Sequence, residues 1–366
     1  MATDNYDTAV FIGRFQPFHL GHLQVIKQGL RCADNVVILV GSARSPRCHR
    51  NPFTFEERKE MIRGALQVAD RERVIVMPLE DAAYNDAQWV LNVQRQVEQG
   101  AWYAGLAGRE PASIDPELRI ALIGHSKDAT SYYLKLFPQW DNIEVPNFRG
   151  LSSTAIRSVF FSNIGHMWVN DADGHRLGDL PRDATVTSNV REFLAGFIDT
   201  AEYKTIRDEN EFIHKYRAAW ASAPYAPTFV TVDAVVVQSG HVLLVRRGAQ
   251  PGKGLWAMPG GFINQDERVR DAAIRELREE TGIKVPDPVL RGSIIAQDVF
   301  DDPNRSARGR TITHAFLIRL RDDTALPKVK GMDDADKARW VPIGQLKPED
   351  FFEDHYHIIM NMVARI

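Results

Sequence analysis

Cysteine is scarce in this chain of 366 residues, which has only Cys32 and Cys48. Neither lies in a CxxC or Cys/His metal pattern, and two cysteines exclude a disulfide framework beyond one bridge. The net charge is only −3, which gives no reason to expect a nucleic-acid or membrane-surface partner. No apolar run approaches the roughly 20 residues that span a bilayer. Residues 1–7 lack the basic and apolar segments of a secretory signal, so we expect a reduced, cytoplasmic protein.

The first half alternates short β-branched runs with amphipathic stretches. Buried strands are predicted at residues 9–13, 36–41, 73–77 and 119–124, because each run is four to six residues long and bounded by turn residues. Helical patterns lie between them at residues 21–32, 54–68 and 86–99. This alternation predicts an α/β domain with a parallel sheet and helices on both faces. Ligands of such sheets bind beyond the carboxyl ends of the strands.

The second half has a different pattern. One long helix is predicted at residues 188–220, and two prolines within residues 222–227 then mark a boundary. Strands at 229–237 and 241–246 are joined by a turn at Ser239-Gly240, and a helix is predicted at 266–281, with further strands at 290–297 and 314–319. This is an α+β pattern with a mixed sheet between helices. We therefore expect domains at 1–186 and 229–366, with a connecting helix and linker at 187–228.

Residues 13–22 (GRFQPFHLGH) place two histidines, His19 and His22, at the start of a helix that directly follows a strand. Residues three apart share a helix face, so both imidazoles can point at one ligand. The N–H groups and positive dipole end of the helix favour a phosphate there. The alternative is that the histidines are ordinary polar residues of a loop. The coincidence of strand, glycines, paired histidines and helix favours the phosphate site.

This segment resembles the HxGH signature of the nucleotidyltransferase superfamily, which has a Rossmann-like fold, and its longer form is similar to archaeal-type NMN adenylyltransferases. Residues 152–157 (SSTAIR) are similar to the SxTxxR segment of that family. Their hydroxyls can cap a helix whose N-terminus holds phosphates. The resemblance implies that His19, His22 and Arg157 are catalytic, with Arg157 neutralising the departing pyrophosphate.

The same resemblance implies a set of substrate-binding residues. Asn85 and Trp89 are similar to the residues that hold the nicotinamide ring, where an indole can stack on the cationic pyridinium. Trp89 on its own is explained nearly as well as a core tryptophan. Residues 124–128 lie where relatives bind adenosine, although this match is looser. The full set is Gly13, Arg14, Phe15, Gln16, Arg50, Asn85, Trp89, Gly124, Lys127, Asp128, Ser153 and Thr154.

Residues 261–283 match the Nudix box GX5EX7REUXEEXGU at every fixed position. Glu276, Glu279 and Glu280 are spaced to share one helix face, and hard cations between them would offset their mutual repulsion. A solvated acidic helix face would explain a glutamate pair alone, but not the two glycines and the loop spacing as well. By resemblance these glutamates act in catalysis and, with the Gly260 carbonyl, bind Mg²⁺ or Mn²⁺. Glu267 and Arg275 are expected to pair with each other.

Together the two resemblances imply a bifunctional enzyme of NAD metabolism. The first domain would join NMN to ATP, and the second would cleave ADP-ribose, because residues 310–316 resemble a segment of Nudix proteins that use ADP-ribose. Alternatives are other acceptors for the transferase, other nucleoside diphosphates for the hydrolase, or a Nudix half that only senses ADP-ribose. The general base outside the box stays unassigned among Asp298, Asp301 and Asp302. Relatives of the first domain self-associate, so we expect a homo-oligomer.

Overall fold

The computed structural model describes residues 6–105, 118–124, 135–161, 185–331 and 335–366. The chain divides into two compact units, residues 1–207 and 208–366. This division falls within the stretch 187–228 that the sequence assigns to the connection, and the three expected ranges stay a prediction. Within the described ranges, no helix combines the length and the apolar character needed to cross a membrane.

The first unit contains a five-stranded parallel sheet in the order β3-β2-β1-β4-β5. The four strands and three helices predicted for this half are confirmed, with ends that differ by a few residues. Its elements are β1 (Tyr6–Gly13), α1 (Leu20–Cys32), β2 (Ala33–Val40), α2 (Phe55–Ala65), β3 (Val74–Pro78), α3 (Asp86–Tyr103), β4 (Ile120–Gly124), β5 (Asp141–Glu144), α4 (Ser153–Phe160) and α5 (Ser188–Phe197). The division between the units falls within the next helix, α6 (Ala201–Ala218).

Both faces of this sheet are buried, which explains the continuous apolar runs in its strands. Successive side chains of a strand point to opposite faces. Phe11 of β1 and Ile38 of β2 pack in a core with α1, α2 and α4, whereas Val10 and Leu39 pack in a second core with α3. The expected helices on both faces are therefore present, and the carboxyl ends of the strands lead into the loops that carry the predicted site.

The single long helix predicted at residues 188–220 is wrong, because the chain forms two helices, α5 and α6, separated at residues 198–200. The Thr200 hydroxyl donates to the Phe197 carbonyl at 2.6 Å and accepts from the Tyr203 N–H at 3.1 Å. Threonine satisfies the N–H groups of a first helical turn in this way. The apolar periodicity continues across the break, so the sequence pattern did not reveal it.

The second unit has a seven-stranded mixed sheet in the order β10-β11-β6-β7-β12, with β8 added to β7 and β9 to β6. The β6–β11 pair is parallel and the other pairs are antiparallel, as the α+β pattern predicted. Helix α7 packs on β6, and α9 packs on β10 and β11. The elements are β6 (Thr228–Gln238), β7 (His241–Arg247), β8 (Trp256–Ala257), β9 (Gly260–Phe262), α7 (Val269–Thr281), α8 (Asp287–Gly292), β10 (Ile294–Phe300), β11 (Arg310–Arg319), β12 (Ala335–Pro342) and α9 (His355–Val363).

The strand predicted at residues 290–297 is wrong in its first part, because residues 287–292 form helix α8 and β10 begins at Ile294. Arg291 pairs with Asp287 one turn earlier and with Asp271 of α7, each at 2.5 Å. An i,i+4 ion pair stabilises a short helix, and the contact with α7 anchors it. Strand β12 was not predicted, since its sequence ADKARWVP has three charged residues.

Candidate active sites

A cavity of about 580 Å³ lies at the carboxyl ends of β1, β2 and β3 in the first unit. Its wall includes the end of β1, the β1–α1 connection, the start of α1 and residues that follow β2 and β3. One residue of α3, the segment between β5 and α4 and the start of α4 complete it. The location is the one expected for a doubly wound sheet. Ten of the predicted site residues line it: Gly13, Arg14, Phe15, Gln16, His19, His22, Trp89, Ser153, Thr154 and Arg157.

The side chain of each histidine of the HxGH motif accepts a hydrogen bond from the backbone of the other at the start of α1. His19 is the N-cap, and its Nδ1 accepts from the His22 N–H at 3.4 Å, while His22 Nδ1 accepts from the His19 N–H at 3.2 Å. The rings stack with their centroids 3.6 Å apart. Because Nδ1 accepts in both rings, a neutral imidazole carries its proton on Nε2, which can donate to a phosphate oxygen.

Arg157 of α4 contributes a half-buried positive charge to the cavity wall. Its Nη1 donates to the Gln16 carbonyl at 2.6 Å and its Nη2 to Thr154 Oγ1 at 3.3 Å. Burial, together with the nearby charges of Arg14 and Arg50, lowers the pKa of Arg157 to about 10. The guanidinium therefore stays protonated at neutral pH. Mutual repulsion among three arginines would be relieved by a polyanion such as a triphosphate.

The first residues of the motif shape the backbone of the cavity. The Gln16 side chain is buried, donating to the Phe53 carbonyl at 2.9 Å and accepting from the Phe53 N–H at 3.0 Å. Phe15 adopts a left-handed φ of 53°, and its ring lies so close that a Cβ on Gly13 would be 2.9 Å from it. Gln16 thus positions the loop after β2, and Gly13 leaves room for the Phe15 ring.

Helix α4 is joined to the same loop by its first residues. Ser152 is the N-cap and accepts from the Ala155 N–H at 3.1 Å, which is the capping role predicted for these hydroxyls. Ser153 Oγ donates to the Pro17 carbonyl at 3.0 Å. These contacts bring the SxTxxR segment beside the HxGH segment, although 136 positions separate Ser153 from Pro17.

The two residues predicted to hold a nicotinamide ring, Asn85 and Trp89, have different positions in the structure. Trp89 is half-buried, packs beside Phe137 with ring centroids 6.1 Å apart, and also lines the cavity. It therefore belongs to the core and to the cavity wall at once. Asn85 is the N-cap of α3, where its Oδ1 accepts from the Gln88 N–H at 3.0 Å, and it is not part of the cavity wall.

Other predicted residues lie outside the cavity wall. Arg50 is near enough to lower the pKa of Arg157. Gly124 ends β4, where its carbonyl accepts from the Val145 N–H at 2.8 Å. Lys127 and Asp128 lie outside the described residues.

Two charged residues of this region were missed by the sequence reasoning. Asp81 lines the cavity, and Arg58 is buried, donating to the carbonyls of Arg14, Gly41 and Ser42 at 2.7 to 3.1 Å. Arg58 thereby ties together the loops after β1 and β2. Neither residue belongs to a local motif, and only the folded chain shows their positions.

In the second unit, the Nudix box forms β9, a loop and helix α7. The Glu280 carboxylate accepts from the Gly260 N–H at 3.0 Å. Neither glycine of β9 has room for a side chain: a Cβ on Gly260 would be 2.2 Å from the Val232 carbonyl, and one on Gly261 would be 2.6 Å from Glu276 Oε1. The two glycines thus allow the β9 backbone to lie directly against the carboxylates of α7.

Arg275 organises the remaining acidic residues of the box. It forms a two-pronged pair with Glu267, with the shorter contact at 2.6 Å, as the sequence predicted. Its Nη1 also contacts Glu276 at 2.8 Å and Glu279 at 2.9 Å. Arg275 therefore clamps the loop on the helix and offsets part of the negative charge of the helix face.

The donor atoms at this site fit a hard divalent cation. Burial, together with the charges of Glu276 and Asp233, raises the pKa of Glu280 to about 8. Burial also raises the pKa values of Glu276 and Asp233. Carboxylates so crowded are stabilised by a cation, and all-oxygen donors suit Mg²⁺ or Mn²⁺. Among the described residues, no group of three or more acidic, histidine or cysteine side chains is arranged to hold a metal ion without side-chain movement. Arg275 contacts Glu276 and Glu279, and the Gly260 N–H donates to Glu280, so these three carboxylates already have partners.

Three arginines lie near these carboxylates. Arg305, Arg308 and Arg247 each favour the ionised form of buried Asp233, whose Oδ2 accepts from Thr313 Oγ1 at 2.5 Å. Arg247 lies over the Phe352 ring at 4.1 Å. Arg305 is buried in a two-pronged pair with Asp354, whereas Arg247 and Arg308 are half-buried and can face a diphosphate.

The three aspartates considered as general bases are engaged elsewhere. Asp298 pairs with Arg365, Asp301 pairs with Arg310, and Asp302 accepts from the Asn304 N–H at 2.7 Å.

Comparisons with known proteins match a different family to each half of the chain. A cytidylyltransferase-like family matches residues 10–159, and the NUDIX domain family matches residues 227–362. The chain is 34% identical over 214 residues to a nicotinamide/nicotinic acid mononucleotide adenylyltransferase of Acinetobacter baylyi, covering 58% of this chain and 95% of that protein. It is 33% identical over 135 residues to an ADP-ribose pyrophosphatase of Methanocaldococcus jannaschii, covering 37% and 73%.

A solved structure covers almost the whole chain. It is a bifunctional NMN adenylyltransferase/ADP ribose pyrophosphatase from Francisella tularensis complexed with AMP and a Mn ion. The identity is 36%, the TM-score is 0.84, and the match covers 98% of this chain and 99% of that one. The fold and the two sites thus define a nucleotidyltransferase joined to a Nudix hydrolase. The chain belongs to the family of bifunctional NMN adenylyltransferases/ADP-ribose pyrophosphatases.

Proposed function

We propose that the first unit joins NMN to ATP, forming NAD and pyrophosphate. The observation that carries this proposal is the single cavity that brings together the histidine pair, Arg157 and Trp89. In the reaction, an oxygen of the NMN phosphate bonds to the α-phosphorus of ATP. The bond from that phosphorus to the bridging oxygen breaks, and the electron pair leaves with pyrophosphate.

The residues of the cavity can supply the positioning and charge that such a transfer needs. The Nε2–H groups of His19 and His22 would donate to phosphate oxygens beside the N-terminus of α1. Arg157, with Arg14 and Arg50 nearby, would hold the negative charge that develops on pyrophosphate. Trp89 would stack on the pyridinium ring. No nucleophilic side chain is required.

We propose that the second unit hydrolyses ADP-ribose to AMP and ribose 5-phosphate with Mg²⁺. Glu276, Glu279, Glu280 and the Gly260 carbonyl would hold the cation, which Mn²⁺ could replace. When bound, the cation supplies positive charge to the diphosphate and lowers the pKa of water. Arg247 and Arg308, which lie near Asp233, would orient the diphosphate, while Arg275 keeps the loop of the box on α7. An oxygen of water would bond to one phosphorus of the diphosphate. The bond from that phosphorus to the bridging oxygen would break, and the electron pair would leave with the other phosphate, so that both products are monoesters.

A substrate panel on the purified full chain tests both proposals. NMN, FMN, pantetheine phosphate and choline phosphate are each supplied with ATP, or CTP for the last, and pyrophosphate release is followed. We expect rapid release with NMN alone. ADP-ribose is compared with other nucleoside diphosphate derivatives, following AMP by chromatography. A faster reaction with FMN, or ADP-ribose that binds without cleavage, would contradict the corresponding half of the proposal.

Three further expectations complete the proposal. The cysteines are both free thiols and the substrates are metabolites of the cytosol, which supports a cytoplasmic location.

The family matches at 10–159 and 227–362 support independent domains at 1–186 and 229–366 joined by 187–228. Light scattering after size exclusion would test the expected homo-oligomer, since a mass of 41.3 kDa at all concentrations would contradict it.

A further inference from the structure

Asp81 is a charged residue of the first cavity to which no role has yet been assigned. It lies three positions after β3 and lines the same cavity as Leu79 and Trp89. These residues come from the β3–α3 connection and from α3, whereas Arg157 and its partners come from α4 and the β1–α1 connection. The Asp81 carboxylate therefore lies on the same part of the cavity wall, the β3–α3 connection and α3, as the Trp89 indole.

The contacts of Asp81 leave its negative charge largely unbalanced. Its Oδ1 accepts from the Ser42 N–H at 3.2 Å, and its Oδ2 accepts from Ser45 Oγ at 3.4 Å. Both donors are neutral groups. Arg58 is close enough for Asp81 to raise its pKa, but its guanidinium donates to backbone carbonyls instead. Within the part of the chain that the structure describes, Asp81 forms no ion pair.

We propose that Asp81 makes the transferase select a pyridine carboxamide over a pyridine carboxylate, that is, NMN over nicotinic acid mononucleotide. This inference rests on the proposed transferase function. The two substrates share the ribose phosphate and the cationic ring, so any effect of Asp81 on those parts cancels in their comparison. They differ in one group, which is neutral in NMN and negative in the acid. A carboxylate in the wall repels only the latter.

The test replaces Asp81 by asparagine, which has the same shape and can still accept from the Ser42 N–H. The readout is the ratio of kcat/KM for nicotinic acid mononucleotide to kcat/KM for NMN, measured with the full chain. We expect the ratio to rise about fivefold in Asp81→Asn, as expected when one of two charges about 4 Å apart is removed from a water-exposed cavity wall. The matched control is Glu80→Gln, which removes the same charge from the adjacent residue. Glu80 pairs with Arg44 at 3.3 Å and does not line the cavity, so its ratio should stay within about twofold of wild type, as expected of a surface charge.

An unchanged ratio in Asp81→Asn would overturn the inference, even if both rates fell, because equal losses indicate that Asp81 only holds the Ser42 loop. A wild-type protein that uses both substrates equally well would overturn it too, since there would be no selection to explain. Failure of the proposed transferase function looks different: wild type would form a dinucleotide from neither substrate.

Discussion

Replacing Gly261 by alanine would place a methyl group too close to the Glu276 carboxylate of the hydrolase site. The added Cβ would lie 2.6 Å from Glu276 Oε1 and 2.7 Å from its Cδ, about 0.8 Å short of the 3.4 Å at which ordinary contact begins. The contact is with the end of a side chain, so the carboxylate can move and the fold can survive. A misplacement of about 1 Å at a catalytic group can cost about 10²-fold in rate. We therefore expect Gly261→Ala to lower ADP-ribose hydrolysis by about that factor.

The assay compares AMP formation by wild type, Gly261→Ala and Gly292→Ala. Gly292 belongs to the same unit, has ordinary backbone angles and has nothing within 4 Å of its Cβ position, so its variant controls for the change of residue type. NAD synthesis by the same samples reports whether the first unit is intact, and thermal unfolding reports on the second. A folded Gly261→Ala protein with full hydrolase activity would refute the assignment of Glu276 to the metal site.

Three other changes have expected outcomes. Arg157→Lys keeps the charge but loses the two-nitrogen geometry, so NAD synthesis should fall about 10²-fold while the KM for NMN changes little. Glu276→Gln should raise the Mg²⁺ concentration needed for half-maximal hydrolysis at least about tenfold, measured by metal titration. Burial lowers the pKa of His355 from 6.5 to about 3, and its Nδ1 accepts from the Met258 N–H. The neutral ring therefore stabilises the fold fully above pH 6.5, and this stability is lost as pH falls towards 3. Between pH 6.5 and 5.5 wild type should lose about 1 kcal/mol more unfolding free energy than His355→Gln. Equal slopes would contradict this.

Local signals in the sequence predicted much of the fold and of both sites. The strands of the parallel sheet are buried on both faces, so each forms a short apolar run that is visible without any tertiary information. The HxGH segment and the Nudix box are also continuous, and the resemblance of these segments to known families implied the capping by Ser152 and the Glu267–Arg275 pair.

Apart from the local break at Thr200 between α5 and α6, the features that the sequence did not reveal depend on residues far apart in the chain. Asp81 and Arg58 act on the loop at Ser42, and Asp233 meets Thr313 across the parallel β6–β11 pair. Helix α8 replaces part of a predicted strand because Arg291 reaches back to α7. No periodicity reports such contacts, since they arise only when the elements pack.

The most direct test of two independent sites measures both reactions on two variants of the full chain. His19→Ala should abolish NAD synthesis from NMN and ATP and leave the formation of AMP from ADP-ribose unchanged. Glu280→Gln should do the reverse. This crossed pattern, in folded proteins, is the result that the account predicts. Loss of both activities in either variant, or of neither, would contradict it.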